Sequence, residues 1–191
     1  PMLENRDAGK ELRVNGRSIP RHPKHQRFYY APLGGNPPVK TIKPSPRYWT
    51  AGKYRVTGEG GADIGPFSVD VQFPEEPVWT NRDRIESIDR KRGVTLEWRG
   101  AGAAFILATG IDNLDGGSTL CLCVAPPKAR SFTIPPAALA NLPSTLIPGS
   151  YYSQLGIALA PETEPPRVKT KGVGAIYAVP LSIVSKSVAI P

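Results

Sequence analysis

Cysteine is scarce in this sequence, and its scarcity excludes several kinds of site. The only cysteines among 191 residues are Cys121 and Cys123. Two cysteines cannot form a four-cysteine zinc site. Residues two apart on a strand are also poorly placed for a disulfide. We therefore expect both to be small buried residues, which leaves the redox compartment open.

Long apolar runs are also absent. No uninterrupted run approaches the roughly 18 residues of a membrane-spanning helix, and the longest candidate, residues 172–184, contains Pro180. The chain begins with Pro1 and carries no signal peptide, as a processed export product or a fragment would. We expect no membrane span, and an extracellular or cell-surface protein whose export signal has been removed.

Catalytic constellations are missing as well. The only histidines, His22 and His25, lie among cations with Pro23 between them, an arrangement that disfavours a metal site or a catalytic base. The carboxylates available for an acid/base pair are Glu75, Glu76, Glu97, Asp112 and Asp115. Glu75 and Glu76 lie in a linker bounded by prolines, and Glu97 alternates outward on its predicted strand, which disfavours such a pair. We predict that the protein is not an enzyme, with no catalytic, cofactor-binding or metal-binding residue and no cofactor.

Acidic residues are few at the beginning of the chain. Residues 1–56 hold 12 Lys and Arg against 3 Asp and Glu, whereas the rest hold 12 against 13. All of the net basic character therefore lies in the first 56 residues, which include a basic, proline-rich arm at about residues 15–50. Within the arm, residues 21–30 interleave cations with Phe28, Tyr29 and Tyr30. Such mixing is typical of binding to an anionic polymer, although the aromatic residues could instead pack inward as a strand. The predicted partner-binding residues are Arg21, Lys24, Arg27, Tyr29, Tyr30, Lys40, Lys43 and Arg47.

What the sequence does contain is short alternating segments. Phe67, Val69, Val71 and Phe73 share one face of such a segment, which is typical of a half-buried strand. The predicted strands are 12–14, 27–31, 53–57, 68–73, 94–99, 104–109, 119–125, 131–134, 151–160 and 173–190. The last one changes phase near residues 185–187, which predicts a bulge or turn there. Residues 82–92 and 135–142 suit only short helical turns.

Many short strands with few helices indicate an all-β fold. We predict two antiparallel β-sandwich units of immunoglobulin or fibronectin type, with few short helical turns. The Pro-Glu-Glu-Pro break at residues 74–77 places their boundary. The first unit, residues 1–75, is a small sandwich carrying the basic arm, and the second comprises residues 76–191.

Four motifs carry a family resemblance. They are Gly60-Gly61-Ala62-Asp63-Ile64-Gly65-Pro66-Phe67, Val78-Trp79-Thr80-Asn81, Val94-Thr95-Leu96-Glu97-Trp98 and Ser131-Phe132-Thr133-Ile134-Pro135. In this order they resemble an uncharacterised group of predicted secreted, immunoglobulin-like β-sandwich proteins common in acidobacterial genomes, over roughly residues 8–160. The resemblance implies an extracytoplasmic β-sandwich and supplies no catalytic residues. The basic insertion at residues 21–47 departs from the pattern of that group.

These observations lead to two functional hypotheses. The first is a non-enzymatic extracellular or cell-surface structural protein that is a subunit of a larger assembly or filament. It would act through its strand edges and surfaces, and its partners would be further copies of itself or other protein subunits. The alternative is a binding module for an anionic polymer through the basic arm, with acidic polysaccharide favoured over nucleic acid.

Overall fold

Short β-strands dominate the computed structural model, which describes residues 6–24, 28–31, 48–111, 117–145 and 153–191. The strands are β1 (Glu11–Val14), β2 (Arg17–Pro20), β3 (Gly52–Gly58), β4 (Phe67–Phe73), β5 (Val78–Trp79), β6 (Val94–Arg99), β7 (Ala103–Ile111), β8 (Ser118–Val124), β9 (Ser131–Ile134), β10 (Ser153–Ala160), β11 (Arg167–Thr170), β12 (Val173–Tyr177) and β13 (Ser182–Ser187). Helical structure in these residues is one 3-10 turn, Arg82–Arg84, and one α-helical turn, α1 (Pro136–Leu139).

The predicted all-β fold is confirmed. Every pair of these strands runs antiparallel. The alternation that predicted the strands has the expected physical result, because β4 buries Val69 and Val71 while Ser68, Asp70 and Gln72 face outward. Two sandwiches of immunoglobulin type stay a prediction.

Contacts divide the described residues into two units. The N-terminal unit takes its described residues from Pro1–Leu33, Tyr48–Phe73 and Thr163–Pro180. It holds a sheet in the order β2-β1-β3-β4 and the hairpin β11-β12. The predicted second unit, 76–191, included this hairpin, whereas the contacts group it with the first. The reason is local, since Gly65 N–H donates to Lys171 O (2.9 Å) and Thr170 Oγ1 donates to Pro66 O (3.0 Å).

The C-terminal unit takes its described strands from Pro74–Glu162 and Leu181–Pro191. One sheet has the order β13-β10-β7-β8, and the other has the order β5-β6-β9. Side chains from both sheets share one apolar core, as in a β-sandwich. Its fully buried large members are Trp98, Ile88, Leu96, Ile106, Ile134, Leu139, Leu142, Leu155, Ile157, Leu159, Ile190 and Val188.

A buried amide holds β5 against β6. Asn81 Oδ1 accepts hydrogen bonds from Trp79 Nε1 (2.8 Å) and Glu97 N–H (3.0 Å), and its Nδ2 donates to Thr95 O (2.9 Å). An amide carries one acceptor and two donors, so it satisfies several groups at once in the apolar core. This explains how a strand of only two residues is retained in the sheet.

The predicted strand 173–190 is wrong as a single element. It consists of β12 and β13, separated by residues 178–181, and the two strands pair in different sheets. The break lies at Pro180, which has no N–H to donate to a ladder, and not at the predicted residues 185–187. Strands β2, β5 and β11 were not predicted, because Arg17–Pro20 and Arg167–Thr170 hold few apolar residues and Val78–Trp79 is only two residues long.

Candidate functional site

The predicted arm residues were the first candidate site, and the structure describes four of the eight. Arg21 and Tyr29 lie together. Arg21 Nη2 donates to the carboxylate of Asp7 and to Tyr29 Oη (3.3 Å), and Tyr29 Oη donates to Gly9 O (2.9 Å). These two side chains therefore fasten the chain to itself.

The other two described arm residues are more open. Tyr30 is 61% exposed, and its ring meets the ring of His22 edge to face at 6.1 Å. Lys24 is exposed, and its N–H donates to His22 Nδ1 (3.2 Å). The predictions for Arg27, Lys40, Lys43 and Arg47 lie outside the described residues.

Asp7 is the centre of the polar cluster around Arg21. Its carboxylate accepts N–H donors from Gly9 (2.9 Å) and Ala62 (3.1 Å), besides the guanidinium. These backbone donors, followed by the charge of Arg21, lower the pKa of Asp7. A cleft of about 640 Å³ adjoins the cluster, but its central charges are engaged in holding the N-terminal segment to the 59–66 turn.

The low pKa makes the stability of the N-terminal unit depend on pH. Above the ordinary aspartate pKa of about 3.9 the Asp7 carboxylate is stabilising, and this contribution is lost as pH falls through the lower folded pKa. We expect Asp7→Asn to lower the thermal unfolding midpoint at pH 7. The difference from the wild type should shrink as the pH falls from about 5 to about 2.

Asp83→Asn is the matched control for this experiment. The Asp83 side chain is 97% exposed, so its replacement should change the midpoint little at any pH. A deficit of Asp7→Asn that stays constant from neutral to acid pH would show that the carboxylate charge is not the stabilising feature.

Strand β8 presents a different kind of surface in the C-terminal unit. Three of its side chains point away from the core and are strongly exposed: Leu120 (62%), Leu122 (56%) and Val124 (62%). We name these three residues the apolar stripe. Cys121 and Cys123 point the other way: Cys121 is buried in the core as predicted, whereas Cys123 is only half-buried and packs against the core. Burial raises the pKa of the Cys121 thiol to about 11, so it is protonated at neutral pH.

The residues of the apolar stripe also direct their backbone N–H and C=O groups away from β7. Ala125 N–H donates to Ala104 O on the β7 side (2.9 Å). Hydrogen-bonded pairs alternate along an antiparallel ladder. Cys121 and Cys123 therefore direct their peptide groups at β7, whereas Leu120 and Leu122 direct theirs away. No other described strand pairs along this side of β8, which we name the β8 edge.

The other edge of the same sheet is covered. On β13, Ser185 O accepts a hydrogen bond from Arg82 Nη2 (3.4 Å), and Lys186 Nζ donates to Arg82 O (3.0 Å) and Ile85 O (2.5 Å). A charged residue on the strand and a segment across it are the usual ways to block an edge. The β8 edge has neither of these protections in the described residues.

Compared with the remaining edge strands that the structure describes, β8 is the longest without a charge. Strands β2, β4, β11 and β13 carry charged residues, and the uncharged β5, β9 and β12 are shorter. Ser118–Val124 contains no charged residue, proline or glycine over seven positions. Natural proteins normally protect an edge of this length.

The apolar stripe continues onto β7. Val124, Leu122 and Leu120 lie opposite Phe105, Leu107 and Thr109, all of which are half-buried. The exposed apolar surface is therefore wider than a single strand, and such patches are typical of interaction sites. The sequence analysis missed these residues. The signal that could have found them is the uncharged alternating run Ser118–Val124.

Comparison with known proteins finds no matching family model, no similar curated protein and no similar solved structure. The resemblance to acidobacterial secreted proteins stays a prediction. No helix in the described residues is long and apolar enough to span a membrane. The described residues also contain no group of three or more His, Cys, Asp or Glu side chains that could hold a metal ion.

Proposed function

We propose that the protein is a non-enzymatic structural protein of the cell surface or extracellular space, and a subunit of a larger assembly that it joins through the β8 edge. The observation that supports this most is the seven-residue strand Ser118–Val124, uncharged, with an apolar stripe and an outward backbone. The resemblance to predicted secreted proteins supports the location and two immunoglobulin-like units.

The physical basis is strand addition. An edge strand offers a row of N–H and C=O groups that another strand can pair with, and the alternate side chains give the contact its specificity. On β8 the outward peptide groups and the outward side chains belong to the same residues, Leu120, Leu122 and Val124. A docking strand would therefore gain hydrogen bonds and cover apolar surface in one contact.

Anionic-polymer binding through the basic arm stays a prediction. Arg21 donates a hydrogen bond to Asp7, and Tyr29 donates one to Gly9 O. Neutralising Arg21 would therefore disturb the fold as well as any polymer site. The two hypotheses differ in their response to salt, because counterion release makes polymer binding steeply salt-dependent. Association through backbone hydrogen bonds and apolar side chains depends weakly on salt.

Sedimentation velocity and electron microscopy test the proposed assembly. We expect the full chain to form species larger than the monomer, in a fraction that rises with concentration between about 1 and 200 µM, as for a dissociation constant in the micromolar range. The species should persist at high salt. Leu122→Lys should reduce their fraction, since it places a charge on the β8 edge.

Ile183→Lys is the matched control for this measurement. Ile183 lies on β13, at the covered edge of the same sheet, and is 50% exposed. Its replacement adds the same charge to the same sheet and should leave the association unchanged. A monomer at every concentration, with no filaments in the micrographs, would contradict the proposed function.

A further inference from the structure

We propose that the β8 edge pairs with the β8 edge of a second copy of this chain, antiparallel about a two-fold axis at Cys121. The inference rests on the proposed function and names the partner of that same edge. The result is a continuous eight-stranded sheet in which the four strands of each copy, β13-β10-β7-β8, meet at their β8 strands. Such an interface uses the same surface on both copies.

Backbone geometry restricts which registers are possible. In an antiparallel pair, residues with outward peptide groups must lie opposite each other. On β8 these are Ser118, Leu120, Leu122 and Val124, as the Ala125 to Ala104 hydrogen bond shows. A two-fold axis at Cys121 satisfies this condition for all of them, placing Leu120 opposite the second copy's Leu122 and Ser118 opposite its Val124. About eight interchain hydrogen bonds result.

The neighbouring registers are poorer. An axis at Leu122 places Ser118 opposite Pro126, which lies beyond the end of β8 and has no N–H to donate. An axis at Leu120 moves Val124 beyond the beginning of the second copy's strand. Only the axis at Cys121 pairs all seven residues of Ser118–Val124 with one another.

The side chains are self-complementary in that register. The outer face brings together Leu120 of each copy and Leu122 of the other, and both are more than half exposed in the single chain. Cross-strand apolar pairs of this kind stabilise sheets. Because Ser118–Val124 has no charge, two copies meet without like-charge repulsion. The two apolar stripes then join into one continuous patch.

A charge exchange at the two leucines tests the partner and the register together. Leu120→Lys/Leu122→Lys places ammonium groups opposite each other at both symmetric pairs, and we expect dimerisation to weaken at least about 100-fold. Leu120→Lys/Leu122→Glu instead places opposite charges at both pairs. We expect it to restore the dissociation constant to within about tenfold of the wild type, with a new dependence on salt.

Mixing two like-charged variants tests whether two β8 edges pair with each other, independently of the register in which they pair. Neither Leu120→Lys/Leu122→Lys nor Leu120→Glu/Leu122→Glu should dimerise alone, but the mixture should form a heterodimer in sedimentation experiments. Each variant is first checked for a wild-type circular dichroism spectrum and a cooperative thermal transition. The substituted side chains are solvent-exposed in the monomer, so folding should tolerate them. Ile183→Lys again serves as the control and should dimerise like the wild type.

The outcomes are distinguishable. A heterodimer without rescue by Leu120→Lys/Leu122→Glu would overturn the axis at Cys121. Wild-type assembly that survives Leu120→Lys/Leu122→Lys unchanged would overturn both β8 self-pairing and the β8 edge as the assembly surface. Assembly that is lost in both like-charged variants and does not return when they are mixed would overturn self-pairing alone, because the β8 edge would then bind a different surface. A monomeric wild type would contradict the proposed function itself. Loss of the dimer in the first variant and its return in the charge-exchanged one support the inference.

Discussion

Replacing Trp98 by alanine is expected to lower the free energy of unfolding of the C-terminal unit by about 3–5 kcal/mol. Trp98 is 2% exposed and lies opposite Trp79 in the β5–β6 pair. Removing the indole leaves a cavity in a core that both sheets share. A loss of this size is a large part of the stability of an ordinary domain. Denaturant unfolding followed by far-ultraviolet circular dichroism measures it.

Trp98→Phe is the matched control. The indole N–H of Trp98 is buried and has no hydrogen-bond partner among the described residues. Phenylalanine keeps an aromatic ring and removes the unpaired donor. Removing that donor is stabilising, and it offsets part of the destabilisation caused by the smaller side-chain volume. Its cost should be less than half that of the alanine variant. An alanine variant within about 1 kcal/mol of the wild type would contradict the described packing of this core.

The second large effect is expected at Gly172, in the turn between β11 and β12. Its φ of +89° is a left-handed conformation, and a Cβ added there would overlap the carbonyl oxygen of Asp63. Alanine therefore meets both backbone strain and a backbone atom that cannot rotate away. We expect Gly172→Ala to destabilise the N-terminal unit by at least about 2 kcal/mol. The hairpin should also lose hydrogen-exchange protection.

Two other glycines separate the effect of backbone strain from the effect of steric overlap. Gly16 has a φ of +82° with no atom within 4 Å of an added Cβ, so Gly16→Ala tests strain alone. Gly174 has neither the left-handed conformation nor a neighbour within 4 Å. The expected order of destabilisation is Gly172→Ala, then Gly16→Ala at about 1 kcal/mol, then Gly174→Ala near zero. Equal effects at Gly172 and Gly16 would contradict the close approach of the 59–66 turn to the hairpin.

Some strands could be predicted from sequence because local alternation specifies them. The predicted strands 94–99 and 131–134 coincide with β6 and β9. In β6 every second residue, Val94, Leu96 and Trp98, is buried, as the pattern predicts. The polar strands β2 and β11 carry no such pattern. Each forms because it is the hairpin partner of an adjacent strand across a two-residue turn, β1 for β2 and β12 for β11.

The uncharged alternating run could have drawn attention to the candidate site, but it does not by itself show that the site is exposed. Alternation in Ser118–Val124 separates the leucines from the cysteines, and the scarcity of cysteine already led us to expect Cys121 and Cys123 to be buried. Nothing local states that the leucine face is left open. That depends on β8 being the last described strand of its sheet, which follows from the pairing order β13-β10-β7-β8.

In the basic arm, sequence reasoning predicted a binding residue that the fold engages in an ion pair. Its charge suggested a surface for anionic partners, but Arg21 is held by Asp7, fourteen residues earlier in the chain. Whether a cation is available to a partner depends on which carboxylate the fold brings beside it. Composition counts the charges and does not reveal this pairing.

By itself, then, the sequence determined that the protein is built of short antiparallel strands, where many of them lie, and that its two cysteines face inward. These properties follow from side-chain periodicity and turn residues, which act over a few positions. Only the tertiary structure decided that residues 163–180 join the first unit, that Arg21 is engaged, and that no described strand pairs along the outer side of β8. Each of these depends on contacts between residues far apart in the chain, which no local pattern encodes.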